Sequence, residues 1–333
     1  MKILSNLEIE DRFLRAFECS WNETLEQYKC SQAQLNGGSR LRPLMVLWGY
    51  LATVDHQESA DVEYIAKVAV SVELIHKGTI LLDDWIDQDE ARHGKKAFHV
   101  EFDPYYTVIL ALHMVSDSMV RLKTVLPMDP QLANNYFTCA DLLAQTIFSM
   151  SKGALEELRL ENNILNLEHI KMIARLETAE IIGNAMQLGY YAGGGTDLAI
   201  SQLFKQLGDQ FGYLFQAMND LEAFSDAEAL ATHKGAANDD ISISRKNLGV
   251  ALLYNIARPA DQKLILDRAP EIIYDLMQKY HILNFILKKT ELYYDNIFIK
   301  LRKNAALSSE WIEGYIQFMN RMKQKAYGKL GVE

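Results

Sequence analysis

The sequence predicts an all-α protein, and two observations carry that prediction. All six prolines lie outside residues 131–258, and a long stretch without proline favours helix because proline interrupts helical hydrogen bonding. Apolar residues recur every three or four positions in residues 61–87 and again in residues 167–188, which is the helical period. Alternating strands joined by Asn-Gly or Asp-Gly turns are not evident in the sequence. We therefore expect a helical bundle.

The ends of the predicted helices follow from glycine, proline and asparagine. The glycines at 193–195 should end a helix, since glycine readily takes the left-handed conformation of a helix cap. Further breaks are expected at residues 127–130, 162–166 and 232–238. The sequence has no linker of low complexity. It predicts one helical domain over residues 1–333, with an N-terminal helix region at 1–30 and a frayed tail at 323–333.

Composition excludes several classes of function. The 333 residues carry 34 Lys and Arg against 44 Asp and Glu, a net charge of −10, whereas nucleic-acid binding favours a basic excess. Three cysteines without close spacing do not predict a disulfide framework or a zinc finger. The N-terminus lacks a signal-peptide pattern, and no apolar stretch reaches the ~18 residues of a membrane span. We expect a cytoplasmic protein with no nucleic-acid partner and no transmembrane segment.

The strongest chemical signal is an acidic motif that follows an apolar helix. Asp83, Asp84 and Asp87 come directly after that helix, and Asp83 and Asp87 would lie one turn apart on one face. A cation relieves the repulsion between two such carboxylates, and Mg²⁺ prefers hard oxygens that it often shares with phosphates. The motif therefore predicts a magnesium clamp for a diphosphate, with a solvated acidic helix end as the alternative.

Basic residues and a second acidic segment extend this signal. Arg92, His93, Lys95 and Lys96 follow the first motif and suit an anionic leaving group, unless they form a solvated loop. Two acidic helices of a bundle can share a metal site. The second acidic segment and the cations beyond it are Asn219, Asp220, Glu222, Asp226, Lys234, Arg245 and Lys246.

A glycine turn at residues 37–38 precedes Arg40 and Arg42 at the expected start of a helix. Backbone N–H groups and arginine forks in such a turn suit phosphate. In this order, the turn, the first acidic motif, the helix around residues 172–189 and the segment 207–220 resemble the trans-isoprenyl diphosphate synthase (polyprenyl synthetase) family. The resemblance covers residues 36–250.

The resemblance implies a helical bundle around a deep central cavity, assembled as a homodimer. It implies three Mg²⁺ ions that hold an allylic prenyl diphosphate until diphosphate departs and leaves an allylic carbocation. In the family's usual reaction, isopentenyl diphosphate then attacks that cation. Carried over residue by residue, the metal ligands would be Asp83, Asp87, Asn219 and Asp220, with Asp84 supporting them. The diphosphate contacts would be Arg92, Lys234 and one of Arg245 or Lys246, the isopentenyl diphosphate contacts Arg42 and His76, and the cavity contact Gln216.

Departures from the family pattern leave the reaction open. Ser39 and His93 replace a lysine and an arginine, and two lost charged donors at ~1.5–3 kcal/mol each weaken isopentenyl diphosphate binding by about a hundred- to ten-thousand-fold, unless Lys95 or Lys96 compensates. Glu177 replaces a lysine, and Ala223 replaces the last aspartate of the second motif. Besides chain elongation, the alternatives are a terpene cyclase-like enzyme, transfer to a different acceptor, and a weakly catalytic regulatory subunit.

One feature of the sequence, at Gly78 and Thr79, bears on the length of the prenyl product. The family closes its product cavity with bulky residues at these positions, four and five before the first aspartate, and here both are small. A pocket deeper than a C15 chain needs is expected, with Ile75 or residues 108–114 as its floor. The alternative is that Gly78 only permits close helix packing.

Overall fold

The computed structural model describes residues 6–28, 35–55, 59–92, 95–126, 133–159, 166–222, 224, 247–267 and 269–331. These residues are almost entirely helical, and the strands among them form one two-stranded antiparallel ladder, in which Arg92 pairs with Lys95. The all-α prediction is confirmed.

In the described part of the chain, the elements follow one another in a simple order. They are α1 (Asn6–Tyr28), α2 (Leu41–Leu51), α3 (Val62–Ile86), β1 (Ala91–Arg92), β2 (Lys95–Lys96), α4 (Phe98–Glu101), α5 (Pro104–Val125), α6 (Ala133–Leu158), α7 (Leu167–Ala174), a π-helical turn (Arg175–Ala179), α8 (Glu180–Ala192), α9 (Leu198–Glu222), α10 (Leu248–Ile256), α11 (Pro259–Leu266), α12 (Pro270–Lys279), α13 (Ile282–Arg302) and α14 (Ser309–Lys329).

The chain divides into two compact units. Unit 1 consists of Met1–Phe148 and Ile181–Gly208, and unit 2 consists of Ser149–Glu180 and Asp209–Glu333. The expectation of one helical domain stays a prediction.

The core of unit 1 forms around α3, which packs against α1, α2 and α5. On α1, Phe13, Phe17 and Trp21 are fully buried, and successive ring centroids are 6.2 Å apart. Their spacing of four residues places them on one helix face. Burial of each large side chain contributes about 1.5–3 kcal/mol to folding. The aromatic row therefore fixes α1 to the helix that carries the first acidic motif.

Two glycines allow α2 and α8 to touch backbone to backbone within unit 1. A Cβ atom at Gly49 would lie 1.9 Å from the carbonyl oxygen of Met186, and one at Gly189 would lie 1.9 Å from that of Val46. No side chain fits at such a distance, so both positions require glycine. This contact positions α2, whose first turn carries Arg42.

The core of unit 2 is formed by α7, the end of α9 and the helices from α10 onward. It includes Leu221, Leu248, Ile273 and Ile282. Asn247 begins α10 by accepting a hydrogen bond from the N–H of Val250 at 2.9 Å, which is the usual way an N-cap satisfies a free backbone donor. Asn247 Nδ2 also donates to the carbonyl oxygen of Asp220 at 2.9 Å, which holds the end of α9 beside the start of α10.

Several predicted helix ends can be compared with the structure. α8 ends at Ala192, and Gly194 takes a positive φ of 88°, as expected for a glycine cap. Asn166 caps α7 by accepting from the N–H groups of Glu168 and His169. The segment 167–188 was expected to be one helix, and the structure interrupts it with the π-helical turn. Residues 127–130 and 232–238 lie outside the described residues.

The predicted fraying of residues 323–333 is wrong for most of that segment. α14 continues to Lys329, and Ala326 and Leu330 are buried. Lys323 and Tyr327 donate hydrogen bonds to the Glu291 carboxylate at 2.8 and 2.9 Å. These contacts hold the tail in place.

Among the helices described, not one is both long and apolar enough to cross a bilayer.

Candidate active site

The first acidic motif lies at the carboxyl end of α3, as the sequence predicts. Asp83 is exposed in the last turn, Asp84 is buried, and Asp87 is the C-cap. The N–H of Asp87 donates to the carbonyl oxygen of Asp83 at 2.9 Å, so the predicted one-turn spacing of these residues holds. Asp83 and Asp87 therefore present carboxylates at the helix end, while Asp84 points inward.

Asp84 forms an ion pair with Arg92. The Arg92 Nε donates to Asp84 Oδ1 at 2.5 Å, and Nη2 contacts the same oxygen. Burial raises the pKa of Asp84, against the lowering effect of Arg92. A second carboxylate, Asp89, lies 4.0 Å from Arg92 Nη2. A buried carboxylate needs such a partner, so Asp84 acts by fixing Arg92 in place beside α3.

The glycine turn places Arg40 so that its guanidinium faces the protein interior and not a ligand. Gly37 and Gly38 have φ values of 96° and 98°, and Arg40 is also left-handed. The Arg40 guanidinium donates to Glu18 and to Glu73, each at 2.7 Å, and lies 5.2 Å from the Phe17 ring centroid. Arg40 is therefore committed to the protein interior.

The structure brings together Arg42 and His76, the two residues that the resemblance implies as isopentenyl diphosphate contacts, and that role stays a prediction. Arg42 Nη1 lies 2.9 Å from His76 Nε2. Burial lowers the pKa of His76 well below its ordinary value, and the cations of Arg42 and Lys77 lower it further. A neutral His76 thus accepts the hydrogen bond from Arg42. Burial lowers the pKa of Arg42 to about 10, so this arginine stays charged at neutral pH.

The sequence reasoning missed two buried charges on α3, Glu73 and Lys77. Glu73 accepts from Arg40, and its Oε1 lies 4.0 Å from Lys77 Nζ. Lys77 Nζ donates to the carbonyl oxygen of Gly37 at 3.1 Å. The signal was available as Glu73 and Lys77, four residues apart within the largely apolar segment 72–82.

A cleft of unit 1 collects the basic residues of this region. Its polar lining comes from α3, strands β1 and β2 and residue 36, and its apolar lining from α3, α4 and residues 35 and 97. The lining residues are Asn36, Lys77, Asp84, Arg92, Lys95, Lys96, Leu35, Ile80, Leu81, Ala97 and Phe98. Four cations around one buried carboxylate make this cleft receptive to an anion.

The carboxylates of the first motif fit a divalent metal, and the carboxylate of the second motif has different surroundings. Within the described ranges, no three His, Cys, Asp or Glu side chains form a metal-binding group. Asp83 and Asp87 supply the hard oxygens that Mg²⁺ prefers. Asp220, in unit 2, accepts from Gln216 Nε2 at 2.6 Å through Oδ1 and from the N–H of Leu248 at 2.7 Å through Oδ2.

Asp220 of the second motif therefore already accepts hydrogen bonds within unit 2. Gln216, which the resemblance places on the cavity, accepts from Thr178 Oγ1 at 2.8 Å and connects the π-helical turn to Asp220. Asn219 is exposed, and its metal-binding role stays a prediction. Each Asp220 oxygen accepts a hydrogen bond and has a further lone pair, so a metal at Asp220 would share these oxygens with Gln216 and the N–H of Leu248. His93, Ala223, Lys234, Arg245 and Lys246 lie outside the described residues.

Gly78 lies at a close helix contact. A Cβ atom there would be 3.0 Å from the carbonyl oxygen of Ala111 and 3.1 Å from Val115 Cγ2 on α5. This geometry favours close packing over an open product pocket at that residue. Thr79 is half-buried and donates to the carbonyl oxygen of His76 at 2.9 Å. Its place in a product pocket stays a prediction.

The fold is all-α, and the carboxylates of Asp83 and Asp87 lie at the end of α3 beside the Asp84–Arg92 pair. The family model described as polyprenyl synthetase matches residues 25–274. The chain belongs to that family and is a prenyltransferase.

Known proteins agree with this assignment. The chain is 26% identical over 273 residues to heptaprenyl diphosphate synthase component 2 of Bacillus subtilis, covering 80% of this chain and 73% of the relative. In fold, it resembles a decaprenyl diphosphate synthase of Rhodobacter capsulatus, with a TM-score of 0.76, 19% identity and coverage of 95% and 99% of the two chains. It also resembles a geranylgeranyl pyrophosphate synthase of Corynebacterium glutamicum complexed with isoprenyl diphosphate and magnesium, with a TM-score of 0.74, 18% identity and 98% coverage of each chain.

Proposed function

We propose that this prenyltransferase condenses an allylic prenyl diphosphate with isopentenyl diphosphate and depends on Mg²⁺. The observation that carries the proposal is the Arg42–His76 pair, at 2.9 Å, in the same unit as the Asp83–Asp87 helix end and the basic cleft. A cyclase-like enzyme has no need of a second diphosphate site, whereas a chain elongator needs one. The retained arginine therefore favours elongation over cyclisation.

The acidic and the basic residues would have different roles. Asp83 and Asp87 would hold Mg²⁺, which when bound would supply positive charge for the departing diphosphate. Arg92, oriented by Asp84, would bind the allylic diphosphate. Arg42 would bind isopentenyl diphosphate, with His76 neutral and accepting, so that His76 adds no positive charge beside the Arg42 guanidinium. Three metal ions per site, and the roles of Asn219, Lys234, Arg245 and Lys246, stay predictions.

The proposal is tested by product analysis with Mg²⁺ and allylic diphosphates of several lengths, each with and without isopentenyl diphosphate. Elongated diphosphates that appear only with isopentenyl diphosphate are expected. Hydrocarbons or alcohols without it would identify a cyclase-like enzyme and contradict the proposal. If no product forms with or without isopentenyl diphosphate, the result would point to a different acceptor or to a regulatory subunit, and it would also contradict the proposal.

A matched pair of variants tests the metal clamp. Asp83→Asn keeps the size of the side chain and removes its charge, so we expect turnover to fall by at least a hundred-fold. Glu90→Gln removes an exposed carboxylate just beyond the motif and should leave turnover nearly unchanged. Circular dichroism confirms that both variants are folded. Normal turnover in Asp83→Asn would refute the metal-binding role.

We also propose that the chain assembles as a homodimer through α5. Tyr105, Ile109 and Leu112 are 83%, 63% and 60% exposed, and their spacing places them on one helix face. An apolar face of this kind is typical of an interaction surface. Light scattering should give twice the chain mass, and Ile109→Asp should give one chain mass. A chain that stays single would contradict the proposal, and the relative named component 2 would then direct the search to a different partner chain. The cytoplasmic location stays a prediction.

A further inference from the structure

Lys77 is a buried lysine on the helix that carries the acidic motif. It is 8% exposed, and an ammonium group at that depth is costly unless it is paired and hydrogen-bonded. In the described part of the chain, its hydrogen bond goes to the carbonyl oxygen of Gly37, and the nearest carboxylate oxygen is 4.0 Å away on Glu73. An ammonium group carries three donors. Lys77 is thus incompletely satisfied by the residues around it.

Two carboxylates near Lys77 on its own helix are already paired with other cations. Glu73 is engaged by Arg40 at 2.7 Å, and Asp84 is engaged by Arg92. Both carboxylates therefore already have a guanidinium partner, and Arg40 is also paired with Glu18. Burial lowers the pKa of Lys77, and the guanidinium groups of Arg40, Arg42 and Arg92 add to this effect, against Glu73. A buried ammonium group with donors to spare, in a cleft that three further cations line, is an arrangement that binds an anion.

The glycine turn lies directly beside the ammonium group. A Cβ atom at Gly38 would be 3.8 Å from Lys77 Nζ, and one at Gly37 would meet nothing within 4 Å. The next residue, Ser39, is exposed and carries no charge. Lys77 also lines the cleft with Arg92, Lys95 and Lys96. The turn is open to a ligand, and Lys77 supplies positive charge to it from the neighbouring helix.

We propose that Lys77 binds a diphosphate group of a prenyl substrate and supplies the positive charge that the glycine turn lacks at Ser39. The identity of the diphosphate rests on the proposed function, whereas the anion site itself does not. On binding, Lys77 Nζ turns donors toward phosphate oxygens, and the Gly37 carbonyl is left to solvent. The role belongs to this chain, because it arises from a serine in the turn and a lysine inside an apolar helix.

Two matched variants test the site. Lys77→Met keeps the aliphatic stem and removes the charge, and Lys67→Met makes the same change at an exposed position on α3. Binding of inorganic pyrophosphate is measured by calorimetry without Mg²⁺, so that the metal clamp does not contribute. We expect Lys77→Met to weaken binding about ten- to hundred-fold, the worth of one charged hydrogen bond, and Lys67→Met to leave it unchanged.

A stability measurement separates binding from a structural role. Removal of a buried, poorly paired charge should leave the melting temperature of Lys77→Met unchanged or higher, while pyrophosphate affinity falls. Unchanged affinity in Lys77→Met, or no pyrophosphate binding by the unmodified protein, would overturn the proposal.

Steady-state kinetics identify which diphosphate Lys77 binds. A rise in KM for isopentenyl diphosphate, or for the allylic substrate, in Lys77→Met assigns the site to that substrate. If the unmodified protein makes no prenyl product but Lys77→Met still loses pyrophosphate affinity, the proposed function fails and the anion site stands. If the protein elongates prenyl chains and the affinity does not change, the anion site fails alone.

Discussion

The Asp84–Arg92 ion pair makes a quantitative prediction. The Asp84 side chain is 2% exposed and that of Arg92 is 36% exposed. Asp84→Asn keeps the volume and removes the charge, so Arg92 loses a charge-assisted bond worth about 1.5–3 kcal/mol. Water reaches part of Arg92, and removal of the charge relieves the burial penalty that raises the pKa of Asp84. We therefore expect the free energy of unfolding to fall by only about 1–2 kcal/mol.

Urea unfolding of the unmodified protein, Asp84→Asn, Arg92→Leu and the double variant measures this coupling directly. The losses of unfolding free energy in the two single variants, added together, should exceed the loss in the double variant by about 1–2 kcal/mol. Asp89→Asn serves as the control, because its carboxylate lies 4.0 Å from Arg92 and should contribute less than about 0.5 kcal/mol. Additive effects, or an Asp84→Asn variant as stable as the unmodified protein, would refute the reasoning.

Three further predictions follow from the same contacts. Because the pKa of His76 is lowered in the folded protein, stability should be lost as pH falls below about 6.5, and thermal melts between pH 7.5 and 5.5 should show a smaller loss in His76→Gln. Asp220→Ala should lower the free energy of unfolding in urea by about 1–2 kcal/mol, because it removes the acceptor for the N–H of Leu248. Asn219→Ala changes an exposed position and should lower it by less than about 0.5 kcal/mol. Ser39→Lys should strengthen pyrophosphate binding more in the Lys77→Met background than in the unmodified protein, and equal gains in both would contradict a shared role.

Helical periodicity was sufficient to predict α3, because the apolar pattern of residues 61–87 coincides with Val62–Ile86. It did not reveal the π-helical turn at Arg175–Ala179. A π-turn changes the helical phase by a single residue, which leaves apolar spacings of three and four intact. Periodicity therefore predicts that a segment is helical better than it predicts its continuity.

The site was predicted where its residues are close in sequence. The carboxylates of the first motif lie within five residues, so their position at one helix end follows from the helix itself. The engagement of Asp220 depends on the N–H of Leu248, 28 residues further along, and no local pattern contains that contact. Lys77 was overlooked because its importance comes from the Gly37 carbonyl, 40 residues earlier. Contacts of this kind require the folded structure.

One measurement tests the central claim most directly. Labelled isopentenyl diphosphate is incubated with the protein, an unlabelled allylic diphosphate and Mg²⁺, and label is sought in a longer prenyl diphosphate. The account predicts incorporation that is abolished by EDTA and restored by excess Mg²⁺. Consumption of the allylic diphosphate with no incorporation of label would contradict it.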